Sequence, residues 1–202
     1  MPEQTKHPYF IFPLTNVNLF PKTTKPLHIF EPRYVQMVEE SIAKQIPIAV
    51  CFVPEGSKEI RPVAGYGLPK IIESRDDQTM LIFMTGLGKV RLDIDRIQIT
   101  NFLQMADGEM IQEEVLLEES FKPKYRALSE ALVRWIRGHI SDQQQQEIFI
   151  RGLTGPREVV GAFAAYLIFD YDLQYEMMEI ISINEQIKFL YRLLESGKLA
   201  ST

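Results

Sequence analysis

The chain has 202 residues, of which 46% are hydrophobic and 24% are charged, and its formal net charge is −5. This composition excludes a disordered chain, a collagen-like fibre and a multispan membrane protein, and the acidic balance argues against nucleic-acid binding through phosphate neutralisation. The single cysteine, Cys51, allows no internal disulfide. Neither a membrane span nor a secretory leader is recognisable, so we expect a soluble, cytoplasmic protein that contacts no membrane.

Up to about residue 120 the hydrophobic pattern is typical of strands. Residues 46–53 and 80–84 are short, continuous apolar runs rich in branched and aromatic side chains, and they predict strands buried on both faces. Residues 86–89 superficially resemble a phosphate-binding loop, but they lie between two strand patterns and lack a following Lys-Ser/Thr pair. We interpret them as a tight turn.

The alternation of apolar residues shifts by one position after Ile94. Val90, Leu92 and Ile94 share one face of a strand, whereas the apolar set resumes at Ile97. A shift of this kind predicts a bulge or a sharp bend near Asp95–Arg96. Strands that bend and are buried on both sides are typical of a small closed or half-closed barrel.

One helix is predicted before residue 120 and several are predicted after it. The first spans residues 32–45, begins at Pro32 and buries Val35, Val38 and Ile42. Later helix starts are predicted at Pro123, Asp142, Gly155–Pro156 and the Ser182–Glu185 capping box. The predicted architecture is α+β, with a β-rich barrel subdomain over residues 1–120 and a helical bundle over residues 121–202.

The excess acid is concentrated where these two patterns meet. Six carboxylates occur without an intervening base, namely Asp107, Glu109, Glu113, Glu114, Glu118 and Glu119. Such a run is either a recognition strip for basic partners or a solvated connector or edge strand that charge keeps soluble. Because composition and periodicity both change here, we expect a hinge between Asp107 and Lys124.

Recognisable motifs for catalysis and metal binding are absent from the sequence. No G-x-S-x-G, H-E-x-x-H or Walker A pattern occurs, and His7, His28 and His139 are isolated from one another. With one cysteine, the sequence offers no four ligands at the spacing of a zinc site. We expect no catalytic residue, no metal and no cofactor.

Two nucleophiles leave a hydrolase open as an alternative. Ser41 and Lys44 have the S-x-x-K spacing, in which a helix brings a lysine amine to a hydroxyl, but the accompanying S-D-N and K-T-G signatures are missing. Cys51 lies in a buried-strand pattern, and a nucleophile there would need a nearby histidine that the sequence does not place. We expect Cys51 to be an inert core thiol.

The first fifty residues carry the most specific motif. Residues 12–14 (FPL), 19–21 (LFP), 26–34 (PLHIFEPRY) and 37–38 (MV) closely resemble the start of the Lon protease N-terminal domain, also called the ATP-dependent protease La substrate-binding domain. Residues 86–91 are similar to the Gly-x-x-Arg strand of that family, with Lys89 where arginine is usual. The last third matches the closing helices of the family more loosely. The chain looks most like the standalone bacterial proteins made of this domain only.

This resemblance implies a PUA-like pseudo-barrel with one packed helix, followed by a helical bundle. It also implies binding, because in the full protease this domain helps to select unfolded or tagged polypeptides, whereas the ATPase and Ser-Lys protease lie in later domains. We therefore expect a non-enzymatic module that binds unfolded or partner polypeptides, as an adaptor or regulator in protein quality control. An RNA-binding PUA-like module is the alternative, and it requires a basic patch with interleaved aromatic residues.

The residues of the motif have two interpretations. Its prolines fix φ and remove backbone donors, so the segment is rigidly routed into the helix. Either His28, Glu31, Arg33 and Tyr34 line a recognition cleft, or the whole motif locks the helix onto the barrel, which is the interpretation we favour. The motif residues are Phe20, Pro21, Pro26, His28, Phe30, Glu31, Pro32, Arg33 and Tyr34.

A second set of residues is the candidate binding surface for a client. A binder of unfolded chains needs exposed apolar or aromatic surface, and the junction of barrel and bundle is a favoured place for a groove. Tyrosines suit this role because they combine apolar area with a hydrogen-bonding tip. The candidates are Tyr66, Phe121, Tyr125, Tyr171 and Tyr175. The alternative is that all five pack the interface between the subdomains.

Overall fold

A computed structural model describes residues 5–197, and the chain divides into the units Met1–Ile111 and Gln112–Thr202. Within the described residues, the first unit contains nine strands and one helix. The strands are β1 (His7–Leu14), β2 (Thr24–Ile29), β3 (Ile48–Phe52), β4 (Val63–Gly67), β5 (Pro69–Ser74), β6 (Met80–Thr85), β7 (Gly88–Leu92), β8 (Gln98–Thr100) and β9 (Leu103–Ile111), and the helix is α1 (Pro32–Lys44).

Five of the strands close into a mixed barrel in the order β1-β3-β4-β7-β9. β1 runs parallel to β3, with Phe10 opposite Ile48, and antiparallel to β9, with His7 opposite Gly108. The other neighbouring pairs are antiparallel. The remaining strands form a three-stranded sheet in the order β2-β6-β5, except for β8, which pairs with the start of β9.

Side chains from β1, β3 and β9 alternate between two hydrophobic clusters. Tyr9 and Ile11 of β1 belong to one cluster, in which alanines and Cys51 fill much of the narrow barrel. Phe10 and Phe12 belong to the other, together with residues of β2, β6 and α1. Because both faces of the wall are covered, β3 is buried along its whole length, as residues 46–53 predicted.

Two details of the predicted unit are wrong. β6 is not buried on both faces, because its sheet packs against the core on one side only and leaves Phe83 39% exposed. In α1 the buried residues are Met37, Val38 and Ser41, whereas Ile42 is exposed. The helix is therefore rotated towards Ser41, whose hydroxyl donates to Ile46 O at 2.7 Å and so can be buried.

The predicted bend near Asp95–Arg96 is confirmed as a single 3-10 turn over Ile94–Arg96. The turn separates β7 from β8, and both strands then pair with β9. Because the chain turns between the two strands, the apolar residues before and after it do not share one phase.

The second unit is helical within the described residues. Its helices are α2 (Lys122–His139), α3 (Gln143–Gly152), α4 (Pro156–Leu167), α5 (Tyr171–Glu179) and α6 (Ile183–Glu195). The predicted starts near Pro123, Asp142, Pro156 and Ser182 are confirmed, although Ser182 makes no side-chain capping bond. The predicted α+β class, a barrel followed by a helical region, is therefore confirmed.

The two units meet after residue 111, and the hinge between Asp107 and Lys124 and the subdomain limit at residue 120 stay predictions. Residues 112–118 are drawn into the helical unit by backbone pairing. Glu114 N donates to Ile181 O at 3.2 Å, and Ile183 N donates to Glu114 O at 2.8 Å. The Asn184 side chain adds hydrogen bonds to the same segment. The centre of the acidic run is therefore a connecting segment that is hydrogen-bonded to the helical unit.

Two glycines allow a backbone approach that no larger residue permits. A Cβ at Gly65, on β4, would lie 1.7 Å from Leu19 O, and one at Gly86 would lie 2.2 Å from Phe20 O. Both distances are far below van der Waals contact, so a side chain would force the backbone to move. The glycines therefore hold the segment around Leu19 against β4 and the β6–β7 connection.

We expect Gly65→Ala to lower the free energy of unfolding by at least about 2 kcal/mol, because the new methyl group overlaps a backbone carbonyl. The control is Gly138→Ala in α2, where a Cβ meets nothing within 4 Å. The control should gain about 0.5–1 kcal/mol, since alanine is the better helix former. Urea unfolding followed by circular dichroism measures both. Wild-type stability in the Gly65 variant would contradict the close approach.

Candidate functional site

A groove of about 780 Å³ in the barrel unit is lined by five separate parts of the chain. Its floor is apolar, with Phe12, Ile29 and Val53 buried, whereas Phe30 is 69% exposed. Charged and polar side chains complete the lining. The lining residues are Phe12 to Thr15 at the end of β1, His28 to Glu31 at the end of β2 and just after it, Arg33 and Tyr34 of α1, Val53, Lys58 and Ile60 between β3 and β4, and Gln104 of β9.

The guanidinium of Arg33 is held in place beside the groove. Its Nε and Nη2 both contact Glu31 Oε2, at 2.9 and 2.8 Å. Its central carbon lies 4.5 Å from the ring centroid of Tyr34, and that ring packs on Phe12 with 4.7 Å between centroids. Burial raises the pKa of Tyr34. The groove therefore carries a fixed cation on an aromatic support.

The residues of the motif divide between the core and the groove. Phe20 and Pro21 are buried, and Tyr34 joins α1 to β1 through its contact with Phe12. The motif residues that line the groove are His28, Phe30, Glu31, Arg33 and Tyr34, while Pro26 and Pro32 are exposed. The side chains of the Glu31–Arg33 pair are 41% and 48% exposed, so the pair adds at most about 1 kcal/mol to stability. Whether these residues recognise a ligand or lock the helix stays a prediction.

Sequence reasoning missed several residues of the groove. Lys58 and Ile60 lie in the loop between β3 and β4, and Gln104 lies on β9. They reach the groove only because the barrel closes, and pairing between distant strands leaves no local signal in the sequence. Residues 12–14, at the apolar end of β1, belong to the sequence motif, but sequence reasoning did not identify them as lining of the groove.

The five aromatic residues predicted as a client surface belong to different units. Tyr66 lies on β4, where its hydroxyl donates to Met110 Sδ at 3.2 Å and its ring meets that of Tyr9 edge-on at 5.3 Å. The others lie in the helical unit. There Phe121 and Tyr125 are half-buried, Tyr171 is exposed and Tyr175 is buried. Their role as one binding surface stays a prediction.

The S-x-x-K pair is not arranged as a catalytic dyad. Ser41 is buried and its hydroxyl donates a hydrogen bond to Ile46 O, while the Lys44 amine contacts Glu40 Oε2. Cys51 is also buried, and its thiol donates to Ala49 O at 3.4 Å. Burial raises the pKa of Cys51 to about 12, so the thiol is neutral and a poor nucleophile at physiological pH.

No group of three or more His, Cys, Asp or Glu residues is placed to hold a metal ion within residues 5–197, and no helix in that range is long and apolar enough to cross a membrane.

The acidic run is partly paired with bases. Arg157 Nη2 lies 2.9 Å from Glu113 Oε2, and Lys6 Nζ lies 3.8 Å from Glu109 Oε1. It is therefore not a uniform anionic strip.

Comparison with known proteins gives one family and a set of similar folds. The ATP-dependent protease La (LON) substrate-binding domain family matches residues 9–196. The structure of a Lon N-terminal domain protein from Xanthomonas campestris is similar with a TM-score of 0.66 and 16% identity, over 94% of this chain and 98% of that one. The N-terminal domain of Mycobacterium avium complex Lon protease gives a TM-score of 0.68 and 10% identity over the same shares. No curated protein matches the chain.

We expect Tyr175→Ala to lower the free energy of unfolding by about 3 kcal/mol, because it empties a site in which the ring is only 6% exposed. The control is Tyr171→Ala, one turn earlier on α5 and 37% exposed, which should lose less than about 1 kcal/mol. Urea unfolding measures both. If Tyr175→Ala kept wild-type stability and lost polypeptide binding, the ring would be part of a client surface instead.

The Cys51 thiol is expected to react with Ellman's reagent at pH 8 about a hundredfold more slowly in the native chain than in urea, because it is buried and protonated. Stability should also fall as the pH rises above about 8.5, since the unfolded thiol then releases a proton that the folded thiol keeps. Cys51→Ala tests the assignment, because it should weaken that part of the pH dependence. A native thiol that reacts at the unfolded rate would contradict the burial.

Proposed function

Because the chain belongs to the ATP-dependent protease La (LON) substrate-binding domain family, we propose that it is a polypeptide-binding module rather than an enzyme. The observation that carries this proposal is the groove of about 780 Å³ in the barrel unit. Its occupant is an extended segment of an unfolded or partner polypeptide.

The lining of the groove suits such a segment. Buried Phe12, Ile29 and Val53 form an apolar floor for a client side chain, and the exposed Phe30 ring offers a further apolar contact. Polar side chains such as Gln104 can bond to the backbone of an extended chain without selecting its side chains. This combination favours broad binding of unfolded polypeptides over recognition of one rigid surface.

The same proposal extends to the cellular role. The chain acts as an adaptor or regulator in cytoplasmic protein quality control, holding clients by their apolar segments. The positions of Ser41 and Cys51, whose side chains are buried and bonded to backbone carbonyls, support binding over hydrolysis.

We expect Phe30→Ala to weaken binding of an unfolded polypeptide about tenfold, because an aromatic contact beside the groove is lost. The probe is fluorescein-labelled lactalbumin that has been reduced and carboxymethylated so that it cannot refold, and fluorescence anisotropy gives its Kd. The matched control is Phe169→Ala, because Phe169 is 68% exposed but lies in the helical unit. The melting temperature should be unchanged in both variants.

Two results would contradict the proposal. One is equal affinity for the unfolded probe in the wild type and the Phe30 variant. The other is tighter binding of a 20-nucleotide single-stranded RNA than of the polypeptide, with the steep salt dependence of phosphate contacts, which would support the RNA-binding alternative.

A further inference from the structure

The turn between β8 and β9 has an unfavourable backbone. Thr100 pairs with Leu103, so the turn consists of Asn101 and Phe102, whose φ values are +50° and +66°. Two positive φ values are typical of a type I′ hairpin turn, in which Asn-Gly is preferred. Asparagine tolerates this conformation, but a bulky side chain at φ above zero is strained. Glycine at position 102 would remove the strain.

The side chain of Phe102 adds little stability to the fold to offset this strain. It is 83% exposed, and Ile99 on the adjoining strand is 68% exposed. An aromatic ring in water gains none of the burial free energy that normally favours such a residue. Strained positions of this kind cluster at functional sites, where a role outside the folded core keeps the residue.

The turn is continuous with the groove. Phe102 lines a small cleft together with Arg33, Tyr34 and Gln104, and these three residues also line the groove. Arg33 therefore borders both the groove and the cleft that Phe102 lines. Its Nε and Nη2 contact Glu31, and 48% of its side chain is exposed to solvent.

We propose that Phe102 is a second contact for the client, and that the preferred client segment is apolar–acidic–apolar. This inference rests on the proposed function of the groove. One apolar side chain occupies the groove, a client carboxylate meets the exposed part of the Arg33 guanidinium, and the next apolar side chain packs on Phe102. The charged side chains of the groove, Arg33 and Lys58 against Glu31, leave one net positive charge, which favours an acidic client residue over a basic one.

The decisive variant is Phe102→Gly, because relief of strain should increase stability whereas loss of the ring should decrease affinity for the client. Removal of a positive-φ strain should raise the melting temperature, whereas loss of the ring should weaken binding of the carboxymethylated lactalbumin probe about tenfold. Asn101→Gly is the control, since it relaxes the same turn without removing the ring. It should keep wild-type affinity. Two 12-residue peptides then test the preference for an acidic client residue. One carries Leu-Gly-Asp-Gly-Leu in a Gly/Ser background and the other has Lys in place of Asp, and the Asp peptide should bind more tightly.

The outcomes separate this inference from the proposed function. If Phe30→Ala weakens binding but Phe102→Gly does not, the groove binds clients and the role of Phe102 is overturned. If the wild type binds no unfolded polypeptide, both proposals fail. A fall in melting temperature in parallel with lost affinity would make Phe102 a structural residue and contradict the inference. Equal affinity for the Asp and Lys peptides would overturn the apolar–acidic–apolar preference.

Discussion

The barrel unit depends on the contact between the backbone around Leu19 and the faces of Gly65 and Gly86. There the carbonyl oxygens occupy the space in which any larger residue would carry its Cβ. The contact continues as backbone hydrogen bonds, from Lys22 N to Gly86 O at 2.8 Å and from Gly86 N to Thr23 O at 2.9 Å. These bonds start the pairing of β2 with β6 and so fix where the chain leaves β2 towards α1.

The groove follows from that path. Once β2 is fixed, the helix that begins at Pro32 must start beside the end of β1, and Tyr34 then packs on Phe12. The short Glu-Pro-Arg link leaves its charged side chains facing outward, as the exposure of Glu31 and Arg33 indicates. One local motif therefore supplies both a packing contact, Tyr34 against Phe12, and the groove residues Glu31 and Arg33.

Local signals predicted the helices well and the groove poorly. Proline at the first or second position located α1, α2 and α4, because this rule involves only neighbouring residues. α5 was missed, since its start depends on the Asp170 carboxylate, which accepts bonds from Asp172 N and Leu173 N, and not on a clear apolar period. Groove residues such as Lys58 are assembled by contacts between distant strands, for which a single sequence gives no measure of proximity.

Closure of the barrel has a consequence for biosynthesis. β1 bonds to β9, so the two edges of the barrel wall are about a hundred residues apart in the chain. On the ribosome, β1 and β3 emerge first and expose apolar faces and an unpaired edge until Ile111 has left the exit tunnel. At about 5–20 residues per second this interval lasts several seconds. The nascent barrel is therefore itself an unfolded, aggregation-prone chain during that time, because its unpaired strand edge can pair with other chains.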